Sequence, residues 1–89
     1  MYVKVDKKYV SKIVYNTSIK NNDEYTAFKK CIRTAYYKSK NPIIKQFLDL
    51  STEKQFKILN SINFGYLFYR NFMMDDYLFD VEQFVKLIK

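Results

Sequence analysis

Lys30, Arg33, Tyr37 and Lys40 follow one another at spacings of 3, 4 and 3 residues. That spacing puts them on one face of an α-helix, with Lys29 and Lys38 on its flanks and Lys45 a few residues beyond. Ammonium and guanidinium groups on such a face pair with phosphate oxygens, Arg33 through two hydrogen bonds at once, and a tyrosine ring there can stack on an unpaired base. From Lys29 to Lys45 there are six basic residues and no acid, so the segment holds no i,i+4 partners of its own to neutralise it. The bland alternative is a solvated helix face in a lysine-rich chain.

A second constellation runs from Phe64 to Met74, where Gly65, Arg70 and Asn71 are the only residues that are not apolar or aromatic. Read as a helix, the run is apolar nearly all the way round and belongs at the centre of a bundle. A small domain cannot cover every side of one helix. Tyr66, Phe68, Tyr69, Phe72 and Met74 are therefore candidates for an exposed protein-interaction surface, with Phe68 and Phe72, four residues apart, as its contact pair. Gly65 inside a helix costs about 1 kcal/mol relative to Ala and points to a close approach of another backbone or a kink.

Catalytic signatures are absent. The chain has no His, the residue most used for acid–base work near neutral pH, and Asp75, Asp76, Asp80 and Glu82 read first as helix-capping acids. A metal-free ribonuclease assembled from Arg33, Tyr37 and nearby lysines is the enzymatic alternative, and nothing else in the pattern supports it. Asp75, Asp76 and Asp80 lack the Gly and terminal Glu of a calcium loop. With Cys31 alone and no His, a zinc site of Cys and His type is excluded, as is an internal disulfide, which favours a reducing compartment. No metal or other cofactor is expected.

The charge distribution supports the first constellation. Residues 1 to 45 carry eleven basic and three acidic side chains, whereas residues 46 to 89 carry five basic and six acidic ones, so the whole net charge of +7 lies in the first half. A field of one sign over one surface concentrates polyanions. The chain's abundance of Lys, Asn, Ile, Tyr and Phe suggests an A- and T-rich coding sequence, as in a phage or mobile element. The N-terminal stretch does not read as a signal peptide, and no window approaches the 18 apolar residues needed to cross a bilayer. A cytoplasmic protein without a membrane partner is the expectation.

The elements that must position these residues are mostly helical. At 89 residues, with one Gly and one Pro, the chain has room for a single domain and too few turn formers for an all-β fold. Residues 1 to 5 alternate like a short strand, and Asp6 is a helix N-cap for a segment bearing Val10, Ile13, Val14 and Thr17; a hairpin turning at Asp6 to Lys8 is the alternative. Asn22 or Asp23 caps a helix to about Lys40, with Tyr25, Phe28, Ile32, Ala35 and Tyr36 on its inner face. Pro42 opens a short helix to Leu50 that buries Ile43, Ile44, Phe47 and Leu48. Thr52 and Gln55 match a capping box for a long helix carrying Phe56, Leu59, Ile62, Tyr66, Tyr69 and Met73, and Asp75 and Asp76 begin a last one carrying Leu78, Val81, Phe84, Val85 and Ile88.

The reading is a mainly α protein, a small bundle of four or five helices with a short N-terminal strand or hairpin. Its expected role is non-enzymatic binding of RNA, of another nucleic acid, or of a protein complex that contains one, in the manner of an inhibitor. The alternative is a homodimer or adaptor that uses the aromatic run and has no nucleic-acid role.

Overall fold

The computed structural model describes residues 1–13, 21–63, 66–71 and 76–89. Their order is β1 (Tyr2–Val5), α1 (Lys7–Val10), α2 (Asn22–Ser39), α3 (Pro42–Leu48), α4 (Thr52–Asn60), β2 (Phe68–Asn71), β3 (Asp76–Asp80) and α5 (Val81–Ile88). Mainly α holds, with five helices among the described residues. The purely helical bundle does not, because β1, β3 and β2 form an antiparallel sheet in that order.

The N-terminal strand followed by a helix is present, and the hairpin is not. Asp6 caps α1 by accepting from the Lys8 backbone N–H at 2.9 Å. The helix stops after one turn, at Val10. Thr17 and Val14 lie outside the described residues. In α2 the cap is Asn21, one or two residues earlier than the expected Asn22 or Asp23, accepting from the Glu24 N–H at 2.9 Å. Its inner face is as the periodicity requires: Phe28, Ile32 and Ala35 are fully buried, Tyr25 nearly so, and Tyr36 half-buried. Pro42 stands in the first turn of α3, behind Asn41 as N-cap.

The long fourth helix is the main correction. Ser51, not Thr52, caps α4, which ends at Asn60. Tyr69 lies on strand β2, and the expected last helix loses its first turn to strand β3, so that α5 starts behind Asp80, whose carboxylate accepts from the Gln83 N–H at 3.1 Å. The physical reason is pairing. An isolated aromatic run satisfies a helical and a strand pattern about equally, but β1 offers a third strand, and Phe68, Tyr69, Tyr77 and Phe79 are strand formers that can bury alternate side chains there. Gly65, Phe72, Met73 and Met74 lie outside the described residues.

Register fixes two unlike sheet faces. Val3 and Phe68 both stand opposite Phe79, and Val5 opposite Tyr77. Val3, Val5, Phe68 and Phe79 are buried and turn towards the helices. There Phe28 meets Phe68 edge-on at 5.8 Å, and Phe84 meets Phe47 and Phe79 at 5.4 Å each. Aromatic pairs of this geometry add about 0.5 to 1.5 kcal/mol each beyond the area they bury.

A polar bridge closes the helical layer. Gln55 is 1% exposed; its amide donates to the Leu48 and Leu50 carbonyls at 3.0 and 2.9 Å and its oxygen accepts from the Tyr25 hydroxyl at 2.7 Å. The residue read as half of a capping box therefore ties the α3–α4 turn to α2. A buried amide so satisfied stabilises one arrangement of these helices, since every alternative leaves polar groups unpaired.

Candidate functional site

The outer face of α2 is the candidate site. The same 3.6-residue period that buries Phe28, Ile32 and Ala35 sends Lys30, Arg33 and Tyr37 outward, and all three are exposed, Tyr37 by 67%. Neither Lys30 nor Arg33 has an ion-pair partner among the described residues. The acids of this helix, Asp23 and Glu24, lie in its first turn, where they favour the positive end of the helix dipole.

Around this centre the other basic residues are held differently. Lys29 is half-buried, its ammonium 5.6 Å from the Tyr25 ring centre. Lys38 is exposed and donates to the Lys4 carbonyl at 3.1 Å. In this sheet Val81 N–H donates to the Met1 carbonyl at 3.0 Å, so by antiparallel alternation the backbone groups of Tyr2 and Lys4 point away from β3. Lys38 thus covers the outer edge of β1, a position where charged side chains protect a sheet from pairing with another chain.

Lys40 does not continue the helical stripe. The helix ends at Ser39, and Lys40 takes a left-handed conformation with φ of 56°, its N–H donating to the Tyr36 carbonyl at 2.7 Å. That reversal lays its ammonium over two rings, 5.6 Å from Tyr36 and 5.5 Å from Tyr37. A left-handed backbone costs a residue other than Gly roughly 1 to 2 kcal/mol, partly offset by the cation–π contacts. Lys40 therefore remains beside Tyr37, placed by the C-cap rather than by helical spacing.

Lys45 departs from the expected set. It sits on α3 and pairs with Asp49 at 3.3 Å, an i,i+4 pair that a segment ending at Lys45 could not reveal. Both side chains are more than half exposed, so the pair contributes little stability, but it reduces the positive field there. The basic surface accordingly narrows to Lys30, Arg33 and Tyr37, with Lys29, Lys38 and Lys40 around them.

The expected protein-interaction set is divided by the sheet. Phe68 is 6% exposed and belongs to the core, since its position opposite Phe79 points it at Phe28. It is not an exposed contact. Tyr66 and Tyr69 are exposed by 65% and 46%. Phe72 and Met74 lie outside the described residues. What helical reading missed is the outer sheet face, where Tyr2 meets Tyr69 edge-on at 5.5 Å. Alternation in residues 1 to 5 already placed Tyr2 opposite in facing to Val3, but its partner could be found only from the register.

Other chemistry is limited. Cys31 is buried, and burial, with a smaller contribution from Asp6, pushes its thiol up to about 12. It is a packing residue rather than a nucleophile. Among the described residues no group of three His, Cys, Asp or Glu is placed to hold a metal ion, and no helix is long and apolar enough to cross a membrane. A cleft of about 260 Å³ between α3, α4 and α5 is lined chiefly by Ile43, Phe47, Leu50, Ile58 and Ile88. No protein-family model, curated protein or solved structure matches the chain.

Proposed function

We propose that this protein is a non-enzymatic binding module that holds nucleic acid, RNA in the first instance, against the outer face of α2. The observation that supports it best is the pair Lys30 and Arg33, exposed, without ion-pair partners among the described residues, and beside the exposed ring of Tyr37. Phosphates meet Lys30 and Arg33 first, with Lys38 and Lys40 within the same surface. Tyr37 supplies a ring for an unpaired base, which favours single-stranded segments over duplex. A coding composition rich in A and T and the absence of His fit a phage or mobile-element protein that acts by occupying a larger nucleic-acid-processing complex, as an inhibitor does.

Binding of a fluorescent single-stranded RNA, measured against salt, tests the reading. About four phosphate contacts give a slope near −3 for log K against log salt on a single strand. The double variant Lys30→Glu, Arg33→Glu should lose binding while keeping its circular dichroism and melting temperature, because both side chains are exposed. Affinity that is flat between roughly 50 and 200 mM salt, or a variant that binds normally, reduces the stripe to a solvated helix face.

A further inference from the structure

The outer sheet face has the opposite character to α2 and lies on the other side of the molecule. Tyr2 on β1 and Tyr69 on β2 come from the two edge strands and meet above β3, Tyr2 paired with Asp80 and Tyr69 with Leu78. Their rings stand 86° apart with centres 5.5 Å from each other, and both are about half exposed. Two rings at right angles form a corner, and each leaves about half of its surface to solvent. A π face carries negative charge and attracts cations.

The charges around the corner reinforce that preference. Lys4 pairs with Asp76 at 3.2 Å, and Glu82 with the terminal ammonium of Met1 at 3.2 Å. Asp80, directly across from Tyr2, has no ion-pair partner among the described residues; one of its oxygens caps α5. Its field reaches the aromatic site. The Tyr2 hydroxyl is held above its ordinary ionisation range, by Asp80 foremost and by Glu82 to a lesser degree.

We propose that the Tyr2–Tyr69 corner, with Asp80 beside it, is a docking site for an arginine side chain presented by a partner protein. Guanidinium fits better than ammonium because it is planar. It can lie flat on one ring, set its edge against the other, and donate to the Asp80 carboxylate from the same plane. Phosphate is disfavoured by the same carboxylate and the same π faces. The site is therefore independent of the α2 surface, and a protein using both would join a nucleic acid on one side to an arginine-bearing protein on the other.

Nuclear magnetic resonance titration with the peptide acetyl-Gly-Arg-Gly-amide, and with its citrulline counterpart of equal shape and no charge, tests the site. The expected result is shifts confined to Tyr2, Tyr69, Leu78 and Asp80 with the arginine peptide, and at least five-fold weaker binding of the citrulline peptide. Asp80→Asn keeps the helix cap, because Asn caps as well as Asp, and should weaken the arginine peptide about five-fold. Tyr2→Phe keeps the ring and should bind nearly as the parent does, whereas Tyr69→Ser should lose the response. Lys30→Glu with Arg33→Glu should leave it unchanged, which separates this site from the proposed nucleic-acid face. Equal response to citrulline, shifts centred on α2, or unaltered binding by Asp80→Asn would overturn the proposal.

Discussion

Phe68 and Tyr69 are neighbours in the chain and occupy opposite worlds. Phe68 is 6% exposed, packed on Phe28 and Phe79, while Tyr69 is 46% exposed and leans on Tyr2. The difference is not in the residues, both aromatic and both strong strand formers, but in the two-residue period of the strand that carries them. One face of the sheet is closed by α2 and α5, whereas on the other Tyr2 and Tyr69 stand about half exposed. A run of aromatic residues therefore contributes to the core and to the surface in alternation, and no count of aromatics tells which ring does which.

Substituting each of the two rings by Ser gives the sharpest test of that contrast. Phe68→Ser removes a buried ring in contact with two others and should cost about 3 to 5 kcal/mol, a large part of the roughly 5 to 15 kcal/mol available to a domain of this kind. Chemical denaturation should show an unfolded or barely folded protein. If Phe68→Ser instead melts within a few degrees of the parent, the register of β2 is off by one residue and the two rings have exchanged places.

Gln55→Ala probes the buried layer through polarity instead of volume. It leaves the carbonyls of Leu48 and Leu50 and the hydroxyl of Tyr25 without their present partner, at about 2 to 4 kcal/mol in total. A loss under about 0.5 kcal/mol would mean that water takes the place of the amide and that this layer is more open than it looks.

Cys31 reports on burial from the alkaline side. Its thiol ionises near 12 in the folded chain against a usual value of 9.0. The unfolded chain therefore releases the proton first, and stability falls as pH rises from about 9 towards 12. The contribution is fully present below 9, and at pH 10 the loss amounts to about 1 kcal/mol. Comparison with Cys31→Ala isolates this loss from the lysines and tyrosines that titrate in the same range. Parallel stability curves for the two proteins between pH 8 and 10.5 would show that Cys31 reaches solvent.

The smallest effect belongs to the outer ring. Tyr69→Ser should shift the melting temperature by only a few degrees, since the ring gives up one edge-to-face contact and is already half in water. A loss comparable to that of Phe68→Ser would show that the two sheet faces are equally closed.

Much of the helical part was legible in the chain. Asp6, Pro42 and the acids before Tyr25 mark helix starts by chemistry that acts within a few residues, and the 3.6-residue spacing of Phe28, Ile32 and Ala35 names an inner face without reference to anything outside α2. The same spacing places Lys30, Arg33 and Tyr37 outward, so the centre of the basic surface follows from the chain alone. Its limits did not. Lys45 lost its place to Asp49, just outside the window, and Lys40 left the stripe because a helix end reversed beneath it.

What only the tertiary structure decided lies between Phe64 and Asp80. There the local pattern suits a helix or two strands about equally, and the choice falls to β1, more than sixty residues away in sequence, which pairs with β3 and makes the sheet worth forming. The sequence by itself settled the elements whose hydrogen bonds and caps are local. Strand pairing is non-local, so it alone could decide that Phe68 is core, that Tyr2 and Tyr69 meet, and that Asp80 stands beside them.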